Sequence, residues 1–273
     1  MKTIVIAEIG ENHYGNWRIC RGMVEEVAAS GATYAKFQTY TAEQFGTDHE
    51  WYDEFKQVEM PQDVHFEMQE VCKEKGVGFL SSTFTVCSTQ FLIDKMGLNV
   101  LKLASSRCTD KKLLDYVNSR ADQVKTIYLS TGMSTVDEVS NALKRIGGIE
   151  NIYLLHCTSQ YPCADENANL RAMTTLRQAF PDQGIGYSDH TFGNDACLAA
   201  VAMGAEVIEK HFTYHVRMPG DDHYGACTPE TLCELVQRIK RLEILLGSPE
   251  KSPVADEKKA REALRVEMKE VGF

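Results

Sequence analysis

Eight short apolar runs in this chain of 273 residues end in side chains that can do chemistry. Lysines and hydroxyls at such ends are donors for a phosphate or a carboxylate, and imidazoles suit borderline divalent metals. In chain order these residues are Glu8, Lys36, Gln38, Thr83, Lys102, Ser105, Ser130, His156, Ser159, Ser188, His190, Glu209 and His211. If the ends of the runs meet, they predict a polar pocket for an oxyanion beside a metal ion.

Each of these residue types also has an ordinary structural role. A serine or threonine at a strand end usually caps the next helix. A lone histidine is more often a hydrogen-bonded structural residue than a ligand, and a lysine at a strand end normally reaches solvent. The recurrence of all three types at the ends of eight runs favours the functional interpretation.

The apolar runs themselves predict β-strands, because they are short and rich in β-branched residues. The predicted strands are Thr3–Glu8, Tyr34–Gln38, Gly78–Ser82, Val100–Leu103, Thr126–Ser130, Ile152–His156, Ile185–Ser188 and Val207–Lys210. Amphipathic segments between them predict helices at Arg18–Ser30, Pro61–Lys75, Thr135–Ile146, Ala196–Met203 and Thr228–Leu246. This alternation predicts an α/β fold, a (β/α)8 TIM barrel, with a doubly wound open sheet as the alternative. Barrels carry their chemistry at the carboxyl ends of the strands.

The chain is predicted to form one catalytic barrel over residues 1–250, followed by a short charged helical tail over residues 251–273. Apolar residues recur at helical spacing in the tail, at Ala260, Leu264 and Met268. Such a stripe indicates packing on the barrel or a contact between subunits.

Composition excludes several classes of protein. The formal net charge of −10 argues against a nucleic-acid binder, which needs concentrated positive charge. Nine cysteines, odd in number and without a C-x-x-C pair, fit neither a disulfide framework nor a zinc knuckle and suggest a reducing cytoplasm. Residues 1–10 are too short an apolar run for a signal peptide, and no membrane-length apolar stretch follows, so we expect a soluble protein.

The strand-end motifs resemble those of the sialic acid synthase family, whose members make N-acetylneuraminate and related nonulosonates from phosphoenolpyruvate. The matching segments, in order, are AEIGENHYG (7–15), AKFQTY (35–40), LSSTF (80–84), LKLASS (101–106), LSTGMST (129–135), LLHCTSQYP (154–162), GYSDHT (186–191) and IEKHFT (208–213). They run from Ala7 to about Pro229 and so cover the predicted barrel. The resemblance implies a transferase that condenses phosphoenolpyruvate with an aldose.

The resemblance also implies roles for particular residues. His190 and His211 correspond to the ligands of a divalent metal, Mn2+ or Mg2+. Residues implied to bind phosphoenolpyruvate are Thr83, Lys102, Ser105, Ser159 and Ser188. Residues implied to contact the sugar are Gln38, Tyr161 and Asp222, while Glu8 and Lys36 approach the reacting centre. Barrels of this family associate as dimers, which implies a homodimer.

Three features depart from the family pattern. Members normally continue into a small antifreeze-like domain, which we expect to be absent because the sequence stops at Phe273. Arg107 stands where the family has a glutamate among the reacting atoms, and Asp221 replaces a proline. Arg107, taken as a catalytic-site residue, would favour a more anionic acceptor; alternatively, it turns outward and pairs with Asp110.

The sequence therefore predicts a synthase that joins phosphoenolpyruvate to an N-acetylmannosamine-like or more anionic aldose, giving a 3-deoxy-2-ulosonic acid and phosphate. Two alternatives stay open. One is an aldolase or lyase that handles a preformed 2-keto acid on the same frame. The other is a non-catalytic homologue that binds phosphoenolpyruvate or a partner protein.

Overall fold

Eight parallel strands close into a barrel in the computed structural model, which describes residues 2–218 and 220–268, apart from the side chain of residue 221. The strands follow one another around the barrel in chain order, and the last pairs with the first, with Glu8 opposite His211. They are β1 (Ile4–Glu8), β2 (Tyr34–Thr39), β3 (Gly78–Thr83), β4 (Val100–Leu103), β5 (Thr126–Ser130), β6 (Asn151–His156), β7 (Gly184–Asp189) and β8 (Val207–His211). The closed sheet confirms the predicted (β/α)8 barrel and excludes the doubly wound sheet.

Helices connect the strands and cover the outside of the barrel. Within the described residues they are α1 (Trp17–Ser30), α2 (Tyr52–Val58), α3 (Gln62–Lys75), α4 (Val86–Gln90), α5 (Lys111–Asn118), α6 (Val136–Arg145), α7 (Ala172–Ala179), α8 (Asp195–Ala202), α9 (Pro229–Leu246) and α10 (Glu257–Leu264). The predicted boundaries hold where a cap fixes them. Asn16 accepts hydrogen bonds from the first turn of α1, and Gly31 ends that helix in the left-handed conformation.

The segment between β2 and α3 holds the short helix α2, which the sequence pattern did not predict. An aromatic cluster fixes this segment against the barrel mouth: the Tyr40 ring lies 5.2 Å from Phe45 and 5.7 Å from Phe84, and Phe45 lies 4.4 Å from Phe55. Packing between rings, and not helical periodicity, therefore positions α2.

The interior of the barrel is divided into an apolar lower half and a polar upper half. The lower half is filled by a buried cluster that contains Ile6, Leu80, Tyr128, Leu155 and Val207. Because side chains alternate along a strand, the residue two positions further on from each of these also points inward. Those residues include Glu8, Ser82, Ser130 and Glu209, so the polar side chains stand on an apolar floor.

The C-terminal tail does not pack on the barrel within the described residues. α10 buries none of its side chains, and Leu264 and Met268 are 79% and 82% exposed. The helix ends at Leu264, so Met268 lies beyond it. Residues 269–273 of the predicted tail lie outside the described residues, and both the division at residue 250 and a subunit contact there stay predictions. None of the described helices is both long and apolar enough to cross a membrane.

Replacing Leu80 by alanine should destabilise the barrel far more than replacing Leu264. Leu80 is completely buried in the floor, and a cavity left by a buried leucine costs about 2–5 kcal/mol. Leu264→Ala, the matched exposed control, should change the free energy of unfolding by less than about 0.5 kcal/mol. Urea denaturation of both variants measures the difference, and equal losses would contradict the division between floor and tail.

Candidate functional site

Lys36 stands at the centre of a buried group of charges at the barrel mouth. Its ammonium lies 2.7 Å from the Glu8 carboxylate and 3.6 Å from that of Glu209, and it donates a 2.9 Å hydrogen bond to Ser82. β1 and β2 place Glu8 directly beside Lys36 in register. All four residues are at least 95% buried, so these contacts replace the water that the charged groups lose.

Glu209 links this group to the opposite side of the mouth. Its second carboxylate oxygen, Oε1, accepts a 2.9 Å hydrogen bond from Ser188 and lies 3.3 Å from the Lys102 ammonium. Strand register again sets the contact, since Ser188 pairs with Glu209 across β7 and β8. The predicted residues Glu8, Lys36, Lys102 and Ser188 are therefore brought together, and Glu209 joins them.

The pKa values of the Glu8 and Glu209 carboxyl groups are shifted in opposite directions. Burial raises the pKa of Glu8 to about 7, against the attraction of Lys36, and the negative charge of Glu209 adds to the rise. Burial also acts on Glu209, but Lys102 and Lys36 outweigh it and lower that pKa. Near neutral pH Glu8 can therefore carry a proton while Glu209 stays ionised, an arrangement that separates acid and base roles.

His190 and His211 face each other at the same mouth, with ring centroids 5.5 Å apart. His190 donates from Nδ1 to the Thr158 carbonyl at 2.7 Å, which leaves Nε2 with a free lone pair. Burial lowers the pKa of His190 to about 4, with the charge of His211 adding to the shift. Burial and the Lys36 charge lower the pKa of His211 to about 3. Both rings are neutral near pH 7, as metal ligation requires.

The surroundings of the imidazole pair fit one small cation. His211 Nδ1 is buried without a hydrogen-bond partner, and the Asp222 carboxylate lies 3.5 Å from it without hydrogen-bond geometry. Tyr161, whose ring centroid is 4.2 Å from that of His190, covers the pair. The gap between them measures about 10 Å³, the size of one water-sized sphere. Among the described side chains, which do not include that of residue 221, no group of three or more His, Cys, Asp or Glu converges as a metal site, so this part of the chain offers the two imidazoles without a third converging ligand.

Hydroxyls at the ends of β4 and β6 surround a glycine after β5. A Cβ added to Gly132 would lie 2.6 Å from Ser159 Oγ, 2.8 Å from Ser105 Oγ and 2.9 Å from Cys157 Sγ. Ser159 Oγ is buried and has no hydrogen-bond partner among the described residues. The Ser105 hydroxyl hydrogen-bonds to a weak partner, the Cys157 thiol, at 3.1 Å. These groups approach the backbone too closely for any residue but glycine, and the two hydroxyls that meet here keep unused hydrogen-bonding capacity.

A larger cavity of about 480 Å³ opens next to the imidazole pair and shares Tyr161 and Asp222 with it. Its size lies in the range of small-molecule sites. Residues of four segments line it: Glu11, Asn12, Tyr14, Trp51, Glu54, Phe55, Gln57, Val58, Tyr161, Gly220, Asp222 and His223. Aromatic and acidic side chains dominate, and no lysine or arginine is present among these described lining residues.

Comparison with known proteins decides the family. A profile of the NeuB family matches residues 23–251, most of the chain. The chain belongs to the NeuB family.

Individual members of the family and its relatives agree with this assignment. The chain is 39% identical over 259 residues to an uncharacterized protein of Methanocaldococcus jannaschii, covering 94% of this chain and 75% of that one. It is 35% identical over 277 residues to N,N'-diacetyllegionaminic acid synthase of Campylobacter jejuni, covering 94% and 81%. The crystal structure of N-acetylneuraminic acid (sialic acid) synthetase from Leptospira borgpetersenii, in complex with citrate, superposes with a TM-score of 0.90 at 32% identity and covers 98% and 94% of the two chains. The predicted resemblance is confirmed, and the second and third of these relatives are named as synthases of sialic-acid-like sugars.

Three predicted residues have other partners in this NeuB-family barrel. The Arg107 guanidinium lies 3.5 Å from Asp110 and bonds Ser106, which is the outward of its two predicted orientations. The Thr83 hydroxyl is fully buried and bonds to Ser88 and Thr89 of α4. Gln38 donates to Glu8 at 3.2 Å, so it borders the charged group. Roles for Thr83 and Arg107 in binding substrate stay predictions.

Sequence reasoning missed several residues that build the site. Glu209 was recognised as a strand end but not as the carboxylate that joins both lysines, although its inward position follows from that of His211, two residues on. Gly132 carried no signal of its own. Trp51 and Glu54 belong to a segment without periodicity, so no pattern could assign them to the cavity.

His13, in the turn that carries Glu11 towards the cavity, should make the protein less stable in acid. Burial, together with the charge of His65, lowers the pKa of His13 to about 4, whereas an unfolded histidine titrates near 6.5. The unfolded chain therefore binds the proton first, so stability is lost as pH falls from about 6.5 to 4. At one pKa unit per about 1.4 kcal/mol, this residue accounts for about 3 kcal/mol.

Urea denaturation at pH 7.5 and pH 4.5 measures this loss. His13→Asn, in which the amide oxygen can still accept the hydrogen bond from the Gly15 N–H, should show a smaller loss than the parent protein. The exposed control His215→Asn should lose as much as the parent. An unchanged pH dependence in His13→Asn would contradict the prediction.

Proposed function

We propose that this protein condenses phosphoenolpyruvate with an aldose and releases phosphate, forming a 3-deoxy-2-ulosonic acid of the sialic acid type. In this reaction C3 of the enol attacks the aldehyde carbon, water adds at C2, and phosphate leaves by cleavage of its C–O bond. The observation that carries the proposal is the placement of Lys36, Lys102, Glu8 and Glu209 beside two neutral imidazoles at one barrel mouth. Most of the catalytic effect would come from holding an anion and an aldehyde in register.

The phosphoenolpyruvate side is supported by positive charge and free hydroxyls. Lys102 and Lys36 are buried, and a proton on Glu8 would leave the group with a net positive charge. The hydroxyls of Ser105 and Ser159, which meet beside Gly132, would provide two further donors. Ammonium and hydroxyl donors are what a phosphate or a carboxylate needs in place of water.

Proton transfer is supported by the two carboxyl groups. Aldol addition turns the aldehyde oxygen into an alkoxide, which must receive a proton. Glu8, whose pKa burial raises to about 7, can supply it. Glu209 stays ionised beside Lys36 and Lys102 and would stabilise positive charge that develops at C2.

His190 and His211 would hold a divalent metal, Mn2+ or Mg2+, with Asp222 beside His211. When bound, such a metal polarises a carbonyl oxygen as a Lewis acid. Tyr161 covers the imidazoles and closes this part of the mouth towards solvent.

The acceptor side is supported by the larger cavity, and it favours an uncharged aldose. Among the described lining residues no cation could pair with a phosphate, and burying an unpaired charge is costly. Carboxylates such as Glu54 suit sugar hydroxyls, and Trp51 and Phe55 provide an apolar wall for an acyl or methyl substituent. Arg107 pairs with Asp110 and is not among these lining residues, so of the two acceptor classes that the sequence predicts we propose the uncharged one.

We propose that the enzyme works in the cytoplasm. None of the nine cysteines is paired in a disulfide, which fits the reducing cytoplasm. We further propose a homodimer, by analogy with the family, to be checked by light scattering.

Release of phosphate tests the proposed function directly. We expect the protein, mixed with phosphoenolpyruvate, Mn2+ and N-acetylmannosamine or a diacetamido aldose, to release one phosphate per ulosonic acid formed. Chelation with EDTA should abolish release, and Mn2+ should restore it. If phosphate were released with none of the acceptors, the proposal would be contradicted. Cleavage of a 2-keto acid without phosphoenolpyruvate would favour an aldolase instead.

A new cation in the cavity should shift acceptor preference towards a phosphorylated sugar. Glu54→Lys should raise kcat/KM for N-acetylmannosamine 6-phosphate relative to N-acetylmannosamine by roughly tenfold, the effect of about 1.4 kcal/mol of attraction between unit charges. Steady-state kinetics with both sugars measures the ratio.

The neighbouring residue on α2 provides a matched control. Asp53→Lys makes the same change of net charge on the same helix, but Asp53 is not among the residues that line the cavity. The ratio should therefore stay close to that of the parent protein. An equal shift in both variants would mean that long-range charge, and not the cavity, selects the acceptor.

A further inference from the structure

A buried ion pair lies in the barrel wall directly behind the two imidazoles. Lys210 Nζ is 2.7 Å from Asp189 Oδ2 and donates to the Thr191 carbonyl at 2.5 Å. Asp189 Oδ1 accepts from the Thr191 N–H and hydroxyl, each at 2.9 Å, and from the Tyr187 hydroxyl at 3.0 Å. The Cys197 thiol, on α8, lies 3.2 Å from Asp189 Oδ2. The pair therefore sits between the strands and α8, outside the barrel lumen.

Strand alternation ties this pair to the residues at the mouth. Asp189 lies between Ser188 and His190 in the chain, and Lys210 lies between Glu209 and His211. Side chains of neighbouring residues point to opposite faces of a strand, so each outward residue of the pair shares its backbone with two inward ones. β7 and β8 also hold Asp189 and Lys210 directly opposite each other.

The contacts fix the backbone that follows His190. Lys210 holds the Thr191 carbonyl, and Asp189 holds the Thr191 N–H, so the peptide that follows His190 is anchored to the strand that carries His211. Asp189 and Lys210 are each 1% exposed. Hydrogen bonds that involve a charged group in such a dry place are short and directional.

We propose that the Asp189–Lys210 pair is a positioning device that sets the separation of His190 and His211 and thereby the affinity of the site for a divalent metal. The inference rests on the proposed function, because that function assigns the metal to the two imidazoles. Asp189 and Lys210 do not touch the metal or the substrates; they act through the backbone of their neighbours. Groups that orient metal ligands in this way typically change metal affinity 10- to 100-fold when they are removed.

The decisive variant removes both charges together. Asp189→Asn with Lys210→Met keeps the size of both side chains and leaves no unpaired charge in the wall, whereas either single exchange would leave one. We expect the dissociation constant for Mn2+, measured by titration calorimetry without substrate, to rise roughly 10- to 100-fold. With both substrates saturating, the Mn2+ concentration that gives half-maximal activity should rise by a similar factor.

A second buried polar cluster in the barrel wall serves as the control. The Thr39 hydroxyl lies 2.9 Å from His65 Nε2 and 2.6 Å from Ser81 Oγ, behind β2 and β3 and away from the imidazoles. Thr39→Val should lower the melting temperature but leave the Mn2+ dissociation constant unchanged. A purely structural role for Asp189 and Lys210 would give the same result in the double variant.

The outcomes separate the inference from the proposed function. Unchanged Mn2+ affinity in a folded double variant, or no Mn2+ binding by the parent protein, overturns the inference. If the double variant does not fold, Thr191→Val, which removes only the hydroxyl contact to Asp189, decides instead: a weaker Mn2+ affinity supports the inference and an unchanged one overturns it. Absence of phosphate release by the parent protein tells against the proposed function alone, since Mn2+ binding is measured without turnover.

Discussion

The structure of the mouth depends on one shared lysine. Lys36 lies between the carboxylates of Glu8 and Glu209, and Glu209 in turn contacts Lys102. Each of these charges would be costly to bury alone, and together they form a group that tolerates loss of water. Removing Glu209 would take from Lys102 the carboxylate that it contacts and from Lys36 one of two, so the arrangement depends on these shared contacts.

This charged group is possible because the barrel separates its tasks by layer. The lower interior is apolar and supplies stability, while the upper interior is polar and supplies the site. A third layer, between strands and helices, holds partners such as Asp189 and Lys210. One strand thus serves all three layers, because successive side chains point to opposite faces and rise towards the mouth.

The sequence predicts the features that depend on the alternation of side chains along a strand. It does not predict those that depend on side-chain torsions or on packing between distant segments. All eight strands and the meeting of His190 with His211 follow from alternation and from the common direction of the strands. The outward turn of Arg107 depends on a side-chain torsion and on Asp110 nearby, which no pattern specifies. Helix α2, which begins directly after Trp51, is positioned by aromatic packing. The hydroxyl of Thr83 forms hydrogen bonds with residues of α4.

The two sides of the mouth differ in charge, and under the proposed function that difference would separate the places of the two substrates. Lysines and free hydroxyls surround the place proposed for phosphoenolpyruvate, whereas carboxylates and aromatic rings line the cavity beyond Asp222. A phosphate would be attracted to the first, whereas the described lining residues of the second include no lysine or arginine to pair with it, so under the proposed function each substrate would have one favourable place. Glu8 contacts Lys36, and its raised pKa lets it hold a proton near neutral pH. A site divided in this way would need few reacting residues, because binding alone would hold the enol C3 in position to attack the aldehyde carbon.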